Sequence, residues 1–259
     1  VRRFIYGLAK KVIIANTVAE CFKDILAIQS GSLGPGVAWM GVLLCMINMY
    51  YDFSGYSDMA IGIGKMLGFD FNENFNYPYL SRSVTEYWQR WHISLGVWLR
   101  EYVMVPFTMS SFTRSVVKRV KNKKIRRNLR SVLGILAVFF VSGIWHGAGM
   151  GFIVWGLYNG LLMVIEFLGF EKFLKKHKFL SHVYLLLAVG LGLIVFEDGI
   201  SRGLPYIRTL FTPWISPANG IYSFREIVDT RVIVFTVFGV MGAGFLKPLT
   251  DKLKESAIA

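Results

Sequence analysis

The chain has 259 residues, of which 54% are apolar, and it carries a formal net charge of +13 at pH 7. Charged residues are too sparse for an ordinary water-soluble surface. The basic residues cluster in four short blocks, 2–11, 114–130, 172–178 and 247–254, most of them separated by apolar runs. A nucleic-acid-binding protein would spread its charge along one face, so we predict no nucleic acid partner. The pattern is typical of a multi-pass membrane protein in a lipid bilayer.

The first part of the chain predicts two helices. Residues 12–28 indicate a weak or interfacial span, because several charged residues interrupt their apolar character. Residues 36–51 form a strong apolar run, but a complete crossing needs about 20 mainly apolar residues. The run therefore crosses the bilayer only if Asp52 and Asp58 lie in or near the membrane.

Two interpretations of the segment around these aspartates remain open. The segment also contains Ser54 and Tyr56, and a capped helix break at the membrane interface explains its polarity without any function. Alternatively, the side chains line a cavity filled with water or substrate, where irregular backbone is tolerated at membrane depth. The glycines that follow, Gly62 among them, favour close helix packing over a phosphate-binding loop.

Residues 70–84 are rich in Asn, Tyr and Pro and predict a loop. Residues 85–103 predict an amphipathic helix, because Trp88, Trp91 and other aromatic residues fall on one face at helical spacing. Such a helix is expected to lie at the membrane boundary or to dip into it. His92 lies at the edge of the aromatic face, where a packed histidine is the simplest interpretation.

The segment 114–130 is rich in Lys and Arg and contains no acidic residue. We interpret it as a basic cytoplasmic loop, with contacts to anionic lipid headgroups as a secondary role. Two apolar runs follow it, 131–145 and 148–168, and the next basic block is 172–178. Basic blocks at both outer ends predict a helical hairpin whose two outer ends lie in the cytoplasm.

His146 lies between the two apolar runs of this hairpin, in the sequence SGIWHG. At a rise of 1.5 Å per residue, His146 lies about 22 Å from the cytoplasmic end of the first apolar run, well inside a hydrocarbon core about 30 Å thick. An ionisable side chain at that depth is costly and indicates function by default, and imidazole exchanges protons near neutral pH. A histidine that is merely hydrogen-bonded to a neighbouring helix is the alternative, and physical reasoning alone leaves the two interpretations about equal.

Two further apolar runs, 183–196 and 231–246, predict spans that precede the basic block 247–254. The sequence contains no Walker loop, dinucleotide fingerprint, HExxH or GxSxG motif. Cys21 and Cys45 have no metal-ligand spacing and favour structural packing. We therefore predict neither a metal site nor a disulfide.

Ordered motifs at compatible spacing extend across most of the chain. They are RRFIYGLAKKVIIAN at 2–16, YDFSGYSDMAIG at 51–62, NFNYPYLSRS at 74–83, EYWQRWHISLGVWLR at 86–100, SGIWHG at 142–147 and WGLYNG at 155–160. Together these motifs resemble the membrane-bound O-acyltransferase (MBOAT) family, in particular its bacterial branch of alginate O-acetylation and D-alanyl transfer proteins.

The resemblance implies an all-α fold, a polytopic transmembrane helical bundle with amphipathic or re-entrant helices around a tunnel. It implies that 1–259 is the C-terminal part of a single transmembrane domain whose N-terminal part is missing. His146 matches the catalytic histidine of the family, and His92 matches the second histidine, in the Arg-Trp-His-Ile-Ser segment. The side chains expected to line the substrate tunnel are Asp52, Ser54, Tyr56, Asp58, Trp91 and Trp145.

The implied activity is transfer of an acyl group, with acetyl favoured, from a cytoplasmic thioester towards hydroxyls of an extracytoplasmic polysaccharide. The donor would be acetyl-CoA or an acyl carrier protein, and no tightly bound cofactor is expected. The implied partners are a periplasmic or surface acetyltransferase and the polysaccharide machinery at the bacterial cytoplasmic (inner) membrane. D-alanyl transfer to teichoic acid and a non-catalytic transporter or channel remain alternatives.

The chain departs from the family pattern at three positions within its apolar runs or beside them. Asn159 stands where relatives often have His, and Glu197 and Asp198 stand where many have Arg-Ala. These departures bear on the substrate and the partners more than on the chemistry.

Overall fold

The computed structural model describes residues 1–28, 32–211 and 224–246. Regular secondary structure in these ranges is helical, which confirms the all-α prediction. The described residues group into two compact units: Val1–Leu80 with the described residues from Leu204 onward, and Ser81–Gly203. The predicted basic block 247–254 lies outside the described residues, and the single transmembrane domain stays a prediction.

Thirteen α-helices are present in the described ranges. In chain order they are α1 (Arg2–Ala9), α2 (Asn16–Ala27), α3 (Pro35–Met66), α4 (Val84–Arg90), α5 (Ile93–Leu99), α6 (Val105–Met109), α7 (Ser111–Lys118), α8 (Lys123–His146), α9 (Met150–Ile165), α10 (Glu171–Lys176), α11 (Lys178–Leu210), α12 (Phe224–Ile227) and α13 (Thr230–Val240). Four π-helical segments, Lys10–Ala15, Arg100–Met104, Glu166–Phe170 and Met241–Phe245, continue α1, α5, α9 and α13, and Pro78–Leu80 forms a 3₁₀ turn.

Within the part of the chain that the structure describes, four helical stretches are long and apolar enough to cross a membrane: α3, α8, Met150–Lys176 and α11. A helix can cross the hydrocarbon core of a bilayer because its backbone N–H and C=O groups are hydrogen-bonded to one another. The predicted span 183–196 is the middle of α11, which continues to Leu210 past a non-helical Gly199 with φ of 70°.

Helix α3 is uninterrupted, so the first of the two interpretations, a capped helix break around Asp52 and Asp58, is wrong. Pro35 starts the helix, where a missing N–H costs nothing. It ends just before Gly68, whose φ of 85° suits a glycine that terminates a helix. Each of the two aspartate carboxylates is paired with a lysine from the N-terminal segment that packs on α3.

That N-terminal segment approaches α3 closely through glycines. A Cβ added at Gly7 would lie 2.5 Å from the carbonyl oxygen of Gly55. A Cβ added at Gly62 would lie 2.6 Å from the backbone nitrogen of Phe4. Small residues at such contacts let two helix backbones meet, so Gly62 has the packing role that the sequence predicted.

In the second unit, the predicted helix 85–103 is interrupted after Arg90. Trp91 has extended backbone, with φ of −105° and ψ of 128°, and His92 has a left-handed conformation with φ of 46°. The helical direction resumes at Ile93 as α5. Helical spacing of aromatic residues could not reveal the interruption, because α4 and α5 each carry part of the same pattern.

The predicted basic loop 114–130 is mostly helical, which corrects the sequence interpretation. Helix α7 continues to Lys118 and α8 begins at Lys123, leaving only 119–122 between them. Lys and Arg are good helix formers, so a high density of charge does not by itself predict a loop. Asn122 starts α8, because its side-chain oxygen accepts hydrogen bonds from the amides of Lys124 and Ile125.

Helices α8 and α9 form the predicted hairpin, joined by a turn of three residues at 147–149. Gly156 lies against α8, where an added Cβ would be 2.3 Å from the carbonyl oxygen of Phe139. On the other side, a Cβ at Gly143 would be 2.7 Å from the carbonyl oxygen of Phe152. The two helices are therefore in backbone contact through glycine.

We expect Gly156→Leu to destabilise the hairpin, because backbone atoms of α8 would have to move to admit the new side chain. Overpacking of this kind typically costs about 1–3 kcal/mol. The measurement is the unfolding temperature of the full-length protein in detergent. Gly36→Leu is the matched control, since a Cβ at Gly36 meets no atom within 4 Å. Equal unfolding temperatures for the two variants would contradict the expectation.

Candidate active site

The two candidate catalytic histidines lie in the same unit and contact the same indole ring. The ring centroid of Trp145 lies 4.8 Å from that of His146 and 6.3 Å from that of His92. Residues far apart in the chain are thus brought together at the end of α8. Physical reasoning from the sequence favoured mere packing for His92, and only the family resemblance paired it with His146.

His146 is the last residue of α8, and Gly147 ends the helix with φ of 151°, a conformation open mainly to glycine. Rings from two helices, α9 and α11, surround the imidazole. Their centroids lie 5.1 Å away for Trp155, 4.9 Å for Phe196 and 6.2 Å for Phe152. The side chain nevertheless remains partly exposed. It combines an apolar surround with access for a reacting group.

His92 lies between α4 and α5 in a backbone conformation that few residues other than glycine adopt. Burial, together with the nearby His146, lowers the pKa of the His92 imidazole to about 4. The imidazole is therefore neutral at physiological pH. It can both donate and accept a hydrogen bond.

The lowered pKa of His92 has a consequence for stability. Between about pH 4 and 6.5 the unfolded chain binds a proton at His92 that the folded chain does not, so unfolding is favoured as the pH falls through this window. We expect the unfolding temperature of wild type to decrease more steeply from pH 6.5 to pH 4 than that of His92→Asn. Parallel pH profiles for the two proteins would contradict the assignment.

Helix α4, which precedes His92, packs along α9 through Trp88. The indole Nε1–H of Trp88 donates to Oδ1 of Asn159 at 3.3 Å, and the Asn159 amide donates to the carbonyl of Trp155 at 2.9 Å. The Trp88 ring also meets the rings of Phe139 at 5.4 Å and Trp155 at 5.6 Å. Asn159, one of the departures from the family pattern, is thus a buried contact between α4 and α9.

Sequence reasoning missed Glu166, a carboxylate that is 1% exposed. Its oxygens accept hydrogen bonds from the backbone amides of Val84 and Thr85 and from the Thr85 hydroxyl. A signal was available, because Glu166 falls inside the apolar run 148–168. The rule that singles out His146, that ionisable residues within a membrane segment are costly and functional, applies equally to this residue.

The two tryptophans predicted to line a tunnel have different environments. Trp91 is buried and stacks on Tyr87 at 5.5 Å between ring centroids. Trp145 is 56% exposed and is the ring shared by the two histidines. Trp145 therefore presents an exposed ring surface, whereas Trp91 is buried against Tyr87 of α4.

The remaining predicted tunnel residues lie on α3, in the first unit. Asp58 and Ser54 are buried, whereas Tyr56 is 62% exposed and Asp52 is partly exposed. Positions two apart in a helix differ by about 200°, so 54 and 58 share one face and 52 and 56 another. The four side chains thus do not line a single face of α3.

Ion pairs hold these aspartates to the N-terminal segment. The Asp58 carboxylate accepts from Arg3 at 2.6 Å and from Lys10 at 2.7 Å. Lys11 pairs with Asp52, and Arg3 also pairs with Glu73. In the described part of the chain, no three His, Cys, Asp or Glu side chains are grouped as metal ligands would be.

Four long apolar helical stretches lie in the described ranges, and two of them carry a buried carboxylate, Asp58 or Glu166, that neighbouring segments hold by ion pairs or hydrogen bonds. This arrangement is that of an integral membrane protein. The model of the MBOAT (membrane-bound O-acyltransferase) family matches residues 1–190. The chain belongs to this family.

Curated relatives include proteins named as an O-acetylase, an O-acetyltransferase and a D-alanyltransferase. The protein named "Probable alginate O-acetylase AlgI" from Pseudomonas aeruginosa is 39% identical over 98% of this chain and 47% of its own length. The peptidoglycan O-acetyltransferase of Helicobacter pylori is 40% identical over 63% of this chain and 28% of its length. The teichoic acid D-alanyltransferase of Bacillus subtilis is 33% identical over 61% of this chain and 39% of its length. The chain spans about half the length of the alginate relatives that it matches most fully.

Proposed function

We propose that the protein is a membrane-bound O-acyltransferase that moves an acyl group, preferably acetyl, from a cytoplasmic thioester towards hydroxyls of an extracytoplasmic polysaccharide. The observation that carries the proposal is the meeting of His146 and His92 at Trp145. The names of the relatives from Pseudomonas and Helicobacter support acetyl transfer to a surface polymer.

In this proposal His146 acts as the general base. Its imidazole takes the proton of the acceptor hydroxyl while the hydroxyl oxygen attacks the thioester carbonyl. The new C–O bond forms and the C–S bond breaks. The imidazolium then gives its proton to the leaving thiolate, which departs as a thiol. General-base assistance of this kind typically contributes about 10²–10⁴ in rate.

His92 and the aromatic rings have supporting roles in the same scheme. Neutral His92 donates a hydrogen bond to the donor or the acceptor and so helps to orient it next to His146. Trp145, Trp155 and Phe196 limit access of water to the His146 imidazole. Exclusion of water protects a thioester from hydrolysis before transfer.

The cellular setting belongs to the proposal as well. We place the protein in the bacterial cytoplasmic membrane as a multi-pass protein, with acetyl-CoA or an acyl carrier protein as the donor and no tightly bound cofactor. A periplasmic or surface acetyltransferase and the polysaccharide machinery would complete the modification. The Bacillus relative supports D-alanyl transfer to teichoic acid as a second candidate with the same site chemistry.

Membrane vesicles that contain the full-length protein provide the test. Labelled acetyl-CoA, an acetylated carrier protein and a D-alanylated carrier protein are supplied in parallel, and loss of thioester and gain of labelled ester are measured. We expect turnover of an acetyl donor above that of vesicles lacking the protein. Turnover of the D-alanyl donor alone would favour the second candidate, and turnover of no donor would favour a transporter without chemistry.

A further inference from the structure

Glu166 is a buried carboxylate that the proposed chemistry does not use. It lies where α9 continues into the π-helical segment Glu166–Phe170 and is 1% exposed. A carboxylate buried in apolar surroundings is costly unless hydrogen bonds compensate for the lost water. The donors that compensate here therefore show what this residue holds in place.

Both oxygens of Glu166 accept hydrogen bonds from the start of α4. Oε1 accepts from the amide of Val84 at 2.7 Å, and Oε2 accepts from the amide of Thr85 at 2.9 Å and from its hydroxyl at 2.6 Å. The first amides of a helix have no partner within the helix, so they are free to bind a side chain from another helix. Glu166 thus attaches the beginning of α4 to the end of α9.

Ser83 has a different role at the same helix end. Its hydroxyl accepts from the amide of Glu86 at 3.0 Å, a local cap that favours helix formation wherever α4 lies. Glu166 belongs to another helix, so its hydrogen bonds favour one location of α4. Local capping and placement are therefore assigned to separate residues.

A second attachment lies two turns earlier on α9, where Asn159 accepts from Trp88. Because α4 contacts Glu166 with its first residues and Asn159 with Trp88, the two helices run in opposite directions. His92 comes two residues after the end of α4, towards the start of α9 and the turn that follows His146. The two contacts that hold α4 on α9, at Glu166 and at Asn159, therefore fix the position of His92.

We propose that Glu166 is a positioning residue, which fixes the start of α4 on α9 and thereby places His92 beside Trp145 and His146. The proposal rests on the proposed function for its effect on catalysis, but not for the attachment itself. Asn159 provides the second point of attachment.

Glu166→Gln in the full-length protein is the first test variant. It keeps the length of the side chain but replaces one accepting oxygen with an NH₂ group, which cannot accept a hydrogen bond from α4. Thr85→Val removes the hydroxyl donor alone and serves if Glu166→Gln does not accumulate. The matched control is Glu171→Gln, an exposed carboxylate five residues further on that pairs with Lys175.

We expect Glu166→Gln to lower kcat for the transfer by about 10- to 100-fold, since a misplacement of about 1 Å caused by a distant substitution can cost up to about 100-fold. The loss should appear in kcat, because a misplaced His92 orients the reacting groups less well in the transition state. Combined with His92→Asn, the variant should be no slower than His92→Asn alone, since both act through the same group. The proposal would be overturned if the two substitutions lowered kcat multiplicatively in the double variant, or if Glu166→Gln alone had the wild-type kcat.

A second measurement separates this proposal from the proposed function. Hydrogen–deuterium exchange of the peptide that covers residues 82–90 reports on the amides of Val84 and Thr85 without any substrate. We expect faster exchange in Glu166→Gln than in wild type or Glu171→Gln, and unchanged exchange would overturn the attachment. If His146→Ala and His92→Asn both transfer at the wild-type rate, the proposed function fails, while the exchange result still decides the role of Glu166.

Discussion

Full-length protein that carries His146→Ala is expected to transfer acyl groups about 10²- to 10⁴-fold more slowly than wild type. The substitution removes the base and leaves α8 intact, because Ala is a good helix former and Gly147 still ends the helix. The measurement is ester formation in membrane vesicles, normalised to the amount of protein.

His177→Ala is the matched control for this loss. His177 lies between α10 and α11, where its ring contacts Phe173 at 4.6 Å between centroids, and it takes no part in the site around Trp145. We expect this variant to transfer at the wild-type rate. Normal ester formation by His146→Ala, or an equal loss in both variants, would remove His146 from the mechanism.

The second large effect concerns stability rather than catalysis. Asp58→Asn is expected to lower the free energy of unfolding by about 3 kcal/mol, the low end of the range for breaking a buried ion pair. Asp58 has a side chain that is 11% exposed and pairs with both Arg3 and Lys10. Its replacement would leave Lys10 near α3 without a counter-charge, whereas Arg3 would keep its pair with Glu73. The low end applies because these two cations are themselves 37% and 30% exposed.

Asp52→Asn is the control for the Asp58 variant, since it makes the same chemical change six residues earlier on the same helix. The Asp52 side chain is 46% exposed and its partner Lys11 is 41% exposed, so we expect a loss of about 1 kcal/mol or less. Denaturant titration of the purified protein in mixed micelles measures both. Equal losses of unfolding free energy in Asp58→Asn and Asp52→Asn would show that burial does not make one ion pair more stabilising than the other.

The sequence predicted those features of the fold that depend on local patterns. Apolar runs gave the spans around 36–51 and the hairpin on either side of His146, because length and hydropathy are sufficient for a helix that crosses a bilayer. The depth of His146 in that hairpin marked it as a candidate before any family resemblance was considered.

Features that depend on tertiary partners escaped prediction. A helix break at the aspartates of α3 stayed open as an interpretation, because the partners of Asp58, Lys10 and Arg3, are distant in sequence. The interruption at His92 was hidden because the aromatic spacing continues across it. Glu166 carried a visible signal, but its meaning depends on donors from Val84 and Thr85, which nothing in the local sequence links to it.

The left-handed backbone at residue 92 also limits which amino acids can occupy that position during evolution. Asn and Gly adopt this conformation readily, whereas Val, Ile and Thr are strongly disfavoured there because of their branched Cβ. In a saturation library at residue 92, variants would therefore be lost in two ways: some because the protein does not accumulate, and others because the accumulated protein is inactive. Asn and Gly are the replacements expected to accumulate, so their activity reports on the loss of the imidazole.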